Sequence, residues 1–487
     1  MKIAVVVQRY GQAINGGAEL HARYIAEHLA KHVEVEVLTT CATDYVTWRN
    51  ALPPGVESIN GVPTRRFRVQ RERDPKLFGR RSDRVYEQPH SLGDELDWLN
   101  AEGPTSPALI DYLSAHATEY DYCLFFSYRY YHAYYGVRAV APRAILVPTA
   151  EHDAAIGLTM FRSIFQGVRA VMYNSHEERT MIQAASGNLN VPGVVVGIGS
   201  DIAQNPQPSR FRQKYNIQAP FAIYVGRIDK NKGCPELFKY FQGYLHDASG
   251  RLSLVLIGNS ILPVPEHPRI RHLGFLDDAD KFDAMAAADL LIMPSYFESL
   301  SMVALEAWAM GRPVLANGKC AVLKGQSIRS NAGLYYETYS EFLETLRALE
   351  HNRWLSAALG RNGRQFFQRN YDWRVIERKY LDMFDRLSLE PAGPPMDPLP
   401  GWLARRRQNL PPAAEVLAGL PQGPTLTDRP DDLAESEVDQ ASEPPSEPMA
   451  RVPERAEGRE RSFGTGSRAA HHRRGYNRSR RSSGPSR

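Results

Sequence analysis

The chain has 487 residues, 43% of them hydrophobic, and a formal charge of +4, which is enough for two or three domains with substantial cores. No stretch approaches the roughly 18 apolar residues of a membrane span, and the opening MKIAVVVQRYG has too short an apolar run, and no cleavage site, for a signal peptide. The charge is a tail property: residues 451–487 hold eleven arginines and three glutamates, so the first 450 residues sum to −4. Cys41, Cys123, Cys234 and Cys320 lie far apart without a CxxC pair, and read as free thiols in a reducing compartment. A cytoplasmic globular protein is expected.

In chain order, Ile3–Val7 is a continuous apolar run suited to a buried parallel strand. A loop, QRYGQAINGG, leads to AELHARYIAEHLAKH, which has helical spacing. Val33–Thr39 alternates as a strand. This βαβ opening predicts half of a doubly wound sheet, continued by strands at Tyr122–Phe126, Ala144–Pro148, Ala170–Tyr173 and Val194–Val196. The pattern restarts at Phe221–Val225, then the loop GRIDKNKG and a helix over Cys234–Tyr244. Strands follow at Leu252–Ile257, Ile270–Leu273, Asp289–Met293 and Pro313–Ala316, with helices over Asp280–Ala288 and Ser301–Met310. Gly311 stands where a helix-ending glycine belongs.

The fold class is therefore α/β, with two Rossmann-like units joined near Gly197–Pro208 and a cleft between them, a favoured ligand site. The expected division is 1–200, 201–372, a terminal helix over 373–390 crossing back to the first domain, and 391–487. That last segment is Pro-rich, then acidic, then Arg-rich, a composition expected to be disordered.

Glu298 lies in the loop beyond the carboxyl end of a buried strand, where open α/β sheets bind ligands. Ser299 or Ser301 can cap the next helix, whose first N–H groups then suit phosphate. Glu306 falls inside that helix among Met302, Val303, Leu305 and Trp308, so it needs a partner. Spacing leaves two readings open. Either the acids serve sugar hydroxyls, or Glu306 pairs with a buried arginine while Glu298 is an exposed loop acid. Arg227 and Lys232 in GRIDKNKG suit a diphosphate, or form a solvated basic turn. Gly16 and Gly17 permit close approach of a ligand, although NGGAE is not GxGxxG. His152 follows a strand in LVPTAEHD. The DxD within DDAD, Asp277–Asp280, reads as a helix cap and not as a metal site. The stretch 65–84 holds nine Arg/Lys and three acids, and reads as a solvated, partly flexible insert; its sharper reading is contact with an anionic acceptor at a membrane surface.

GRIDKNKG together with HLGFLDDADKFDAMAAADLLIMPSYFESLSMVALEAWAMGRPVLA resembles the donor domain of the retaining GT-B glycosyltransferases of family 4, glycosyl transferases group 1. The resemblance runs from residue 1 to about residue 385, including GGAE and NYDWRVIERKYLDMF. It implies that Glu298 and Glu306 form a Glu-x7-Glu signature, with Glu298 on the donor sugar and Glu306 on the ribose. It also implies that Arg227 and Lys232 hold the diphosphate, with Gly16 and Gly17 approaching it from the other domain. Leu300 and Ser301 join the donor site, and His152 matches an active-site histidine. Implied partners are a nucleotide-sugar donor and a glycan or lipid-linked acceptor, with no metal or other cofactor and no specific nucleic acid. Peripheral contact with the inner face of an anionic membrane is part of the same expectation. A nucleotide-sugar epimerase on the same fold and a non-catalytic binding protein are the alternatives.

Overall fold

The computed structural model describes residues 1–14, 16–247, 250–396 and 413–420. The tail expectation for 421–487 lies outside these residues, and that for 391–420 lies outside them except at 391–396 and 413–420. Met1–Leu410 forms one compact unit. A second unit, Pro411–Arg487, is described only at the short helix Ala413–Ala418 and the two residues after it.

The first sheet has eight strands: β1 (Lys2–Val6), β2 (Glu34–Thr40), β3 (Gly55–Ile59), β4 (Val62–Phe67), β5 (Tyr122–Phe126), β6 (Ala144–Val147), β7 (Ala170–Tyr173) and β8 (Gly193–Val195). Their order is β3-β4-β2-β1-β5-β6-β7-β8, parallel throughout except for the antiparallel β3–β4 hairpin. The second sheet has β9 (Phe221–Val225), β10 (Ser253–Ile257), β11 (Ile270–His272), β12 (Leu290–Met293), β13 (Val314–Asn317) and β14 (Gly333–Tyr336). Its order is β11-β10-β9-β12-β13-β14, and every pairing is parallel.

Register follows the apolar runs. Val5 pairs with Val37 and Leu124, and Ile223 pairs with Val255 and Leu291. Strands such as FAIYV are buried at every position because helices cover both faces. The strand order reverses between β1 and β5 in one sheet and between β9 and β12 in the other. Those are the points where a doubly wound sheet opens a crevice at its carboxyl edge. The helix Trp373–Leu389 buries Ile376, Tyr380, Phe384 and Leu387 in a core cluster shared with both sheets. Its Phe384 carbonyl accepts from Tyr122 Oη at 3.3 Å, and Arg169 of the first domain donates to the Leu387 carbonyl at 2.9 Å. The fold is the expected pair of facing Rossmann-like units.

Two parts differ from the sequence reading. β14 and the β3–β4 hairpin occupy stretches where no strand was expected. The basic run 65–84 is also not a solvated insert. Arg65 and Arg66 lie on β4. Arg66 is buried, donating to the Tyr10 carbonyl at 2.8 Å and pairing with Glu57. Arg73 reaches Glu102 at 2.7 Å and covers the Trp48 ring. A helix, Pro75–Glu87, is capped by Asp74, and Arg68, Arg71, Lys76 and Arg80 stay exposed. Guanidinium groups with carbonyl and carboxylate partners can sit inside a fold that their composition alone argues against. All four cysteines are buried and unpaired, and no helix among the described residues is long and apolar enough to cross a membrane.

Candidate functional site

The carboxyl ends of β9 and β12 carry GRIDKNKG and PSYFES side by side. Gly233 makes this possible. Its φ is +70°, and a Cβ there would fall 2.0 Å from the Pro294 carbonyl oxygen, so only glycine lets the first loop cross the exit of β12. Lys232 Nζ then lies 2.7 Å from Glu298 Oε1. Asp229 anchors the loop, accepting from the Lys232 amide at 2.8 Å and pairing with Arg227. Arg227 also donates to Tyr45 Oη of the first domain at 3.2 Å.

Ser301 caps the helix Met302–Ala309, its Oγ accepting from the Ala304 amide at 3.3 Å. Of the two serines read as candidate caps, Ser301 is the one used. Gly311, at φ +69°, follows the last turn. Glu306 is buried one turn in. Its Oε1 accepts from Ser200 Oγ at 2.9 Å and lies 3.1 Å from Lys281 Nζ, while its Oε2 has no partner. The cation beside it is a lysine, where the sequence left an arginine open. Asp277 caps the helix Asp278–Ala287, accepting from the Asp280 amide at 2.8 Å, and Asp280 accepts from Tyr215 Oη at 2.8 Å. DDAD is thus used as a helix cap.

A cavity of about 400 Å3 opens between the two sheets. Arg227, Lys232, Glu298, Leu300 and Ser301 line it from the second domain, and Gly17 and Glu151 from the first. Gly16 stands just outside as the cap residue of the helix Gly17–Leu29, where a Cβ would meet the Glu19 carboxylate at 2.2 Å. Glu306 lies behind the wall. His152 is exposed and outside the lining, although its neighbours Glu151 and Asp153 are in it.

Charge in the cavity is nearly balanced. Burial works against the Lys232 ammonium, but Glu298, Glu151 and Asp229 outweigh it and hold the lysine above its ordinary range. Lys281 behaves alike: burial opposes its charge, and Glu306 with Asp278 restores it. Burial, then the charge of Glu298, pushes Glu151 above the usual carboxylate range. The sequence reading passed over Glu151, Arg129 and Asp153, and also Lys281 and Ser200. The EHD triplet was the available signal, and it was assigned to its histidine.

The joining segment is clamped by the terminal helix. A Cβ on Gly199 would fall 2.7 Å from the Trp373 ring. Asp201 accepts from Trp373 Nε1 at 2.8 Å, and His28 stacks on Trp373 at 3.5 Å while reaching Glu377 at 2.7 Å.

Residues 207–366 match the family model described as glycosyl transferases group 1. The matched stretch contains every strand of the second sheet. Among curated relatives, an uncharacterised 41.2 kDa protein in the cps region of Klebsiella pneumoniae is 33% identical over 22% of this chain and 28% of its own length. An uncharacterised glycosyltransferase of Methanocaldococcus jannaschii is 23% identical over 65% of this chain and 80% of its own. The chain thus spans under a third of the first relative and four-fifths of the second. Among solved structures, HepE of Anabaena in complex with UDP-glucose is similar, with a TM-score of 0.57, 18% identity, and coverage of 79% of this chain and 100% of that one. The shared architecture is GT-B.

Proposed function

We propose that the protein is a retaining glycosyltransferase of family 4 that moves a hexose from a nucleotide-diphosphate sugar to a glycan or lipid-linked acceptor. The observation that carries this is the Lys232–Glu298 pair at the cavity wall, 2.7 Å apart, beside the capped start of the Met302–Ala309 helix. A cation for diphosphate and an acceptor for sugar hydroxyls stand together where a doubly wound sheet binds ligands. Arg227, Lys232 and the helix N-terminus supply positive charge to the departing diphosphate without a metal ion. Glu298 orients the sugar. Glu306, with Oε2 unpartnered, holds the ribose hydroxyls.

In the transfer, the bond from the anomeric carbon to the phosphate oxygen breaks with its electron pair on the oxygen. The acceptor oxygen bonds to the same face of that carbon, and its proton passes to the departing phosphate. The solved relative with UDP-glucose supports beginning with UDP-sugars, and the relative in a cps region supports a place in envelope or extracellular polysaccharide synthesis at the cytoplasmic face. Contact with an anionic membrane through Arg68, Arg71, Lys76 and Arg80 belongs to the same reading. The test is proton NMR of the transfer product: the donor's anomeric configuration is expected, and an inverted centre overturns the retaining mechanism.

A further inference from the structure

The loop after β6 brings a carboxylate into the cavity that folding leaves without a partner. Glu151 is half-buried and lines the cavity. Among the described residues no hydrogen bond or ion pair reaches its side chain. A half-buried carboxylate that the fold leaves unpaired and open toward a ligand cleft, with its pKa shifted by burial and a facing carboxylate, is a candidate for function.

Its position is built. Thr149 has φ +48° and Ser127 has φ +66°. A β-branched residue in the left-handed region is strained, and strain of that kind persists where surrounding structure holds it. The two hydroxyls lie 2.8 Å apart, and both residues line the cavity. The next amide, Ala150, donates to the buried Glu178 carboxylate at 2.6 Å. This turn sends Glu151 into the cavity and leaves His152 outside.

The charged groups around Glu151 are Glu298 and Lys232 from the second domain, and Asp153 and Arg129 from the first. Glu151 therefore confronts the Lys232–Glu298 pair from the opposite domain.

We propose that Glu151 is a catalytic carboxylate of the sugar transfer, facing the transferring sugar from the first domain. This rests on the glycosyltransferase reading above. As the bond to the diphosphate breaks, positive charge grows on the anomeric carbon and ring oxygen. Glu151 meets that charge from one wall while Arg227 and Lys232 meet the diphosphate at the other. It forms no bond and keeps no proton: the acceptor's proton goes to the departing phosphate, as before. The carboxylate must be ionised, so activity falls as pH drops through the raised pKa of Glu151.

The test measures release of nucleoside diphosphate from UDP-, GDP- and ADP-sugars, with water as acceptor, for the full chain and for Glu151→Gln and Glu151→Asp. Glu151→Gln is expected to lower kcat by about 100-fold or more, change the donor KM little, and erase the acid limb of the pH–kcat profile. Its melting shift with the free nucleoside diphosphate should match that of the native protein, because the diphosphate is held elsewhere. A kcat within about threefold of native, or an unchanged acid limb, overturns the proposal. If Glu151→Gln does not fold, Glu151→Asp decides: a roughly tenfold loss of kcat supports it and native kcat overturns it. A native protein that releases nucleotide from none of the sugars overturns the glycosyltransferase reading and this proposal with it. Native release with an unimpaired Glu151→Gln overturns this proposal alone.

Discussion

Lys232 Nζ lies 2.7 Å from Glu298 Oε1, joining the loop after β9 to the loop after β12 across the centre of the second sheet. Each partner also has a separate duty in the proposed reaction, so the two should couple. Glu298→Gln is expected to lower transfer about 100-fold, and Lys232→Ala to lower it by a similar factor while weakening nucleotide binding. The double variant should be less impaired than the product of the two, with a coupling of roughly 0.5–3 kcal/mol. Kinetics of the three variants check this, and strict additivity would mean the pair does not act as a unit.

Glu306 predicts a stability effect as well as a binding one. Lys281 and Ser200 both address its Oε1. Glu306→Ala leaves the partly buried Lys281 ammonium with only the exposed Asp278, 3.0 Å away, at a cost of about 1–3 kcal/mol. Glu306→Gln keeps an acceptor for Ser200 and should cost less, while still weakening UDP affinity through the ribose. Urea denaturation and calorimetric titration with UDP separate the two effects. Equal stability of the native protein and Glu306→Ala would contradict the buried pairing.

The clamp on the joining segment predicts a pH effect whose sign is set by Asp201. Its pKa is lowered by the hydrogen bond with His28, burial opposing and Trp373 Nε1 adding to it. A depressed carboxylate contributes stability that is present above its unfolded pKa, about 3.9, and lost as pH falls through the lower folded value. Asp201→Asn should therefore lower stability at neutral pH, where the ionised carboxylate contributes, and flatten the loss below about pH 4, where the two proteins converge. Urea midpoints across that range check it. Gly199→Ala, which drives a methyl into the Trp373 ring, should lower the midpoint at every pH.

His152 is exposed and outside the cavity lining. His152→Ala should accordingly reduce nucleotide release less than Glu298→Gln does. Parallel assays of the two variants check the order. A larger loss for His152→Ala would show that this loop rearranges when donor binds.

Strands buried on both faces were the legible part of this fold. Phe221–Val225, Tyr122–Phe126 and Ala170–Tyr173 are uninterrupted apolar runs, and their observed bounds coincide with the runs. The β3–β4 hairpin was hidden because β4 reads VPTRRF. Its arginines are satisfied by Glu57 across the hairpin and by Glu36 and the Tyr10 carbonyl, which are remote in sequence. β14, reading GLYY, is a short strand at the sheet's edge and half exposed, so it lacks the run that marks its neighbours.

At the site, Glu298 and Lys232 were legible because each follows a buried strand at the same sheet edge. Glu151 was not. Whether it or His152 enters the cavity depends on the left-handed turn at Thr149, a conformation that threonine does not advertise. Lys281 was hidden for another reason: it comes from a different helix, and only packing brings it to Glu306.

The most direct test of the central claim is a thermal-shift measurement of the native chain and Lys232→Ala against UDP-, GDP- and ADP-sugars. A donor at 100 times its dissociation constant should stabilise the native protein by about 2.7 kcal/mol, with most of that shift lost in Lys232→Ala. Absence of stabilisation by every nucleotide sugar, or an undiminished shift in Lys232→Ala, would contradict the donor site described for this cleft.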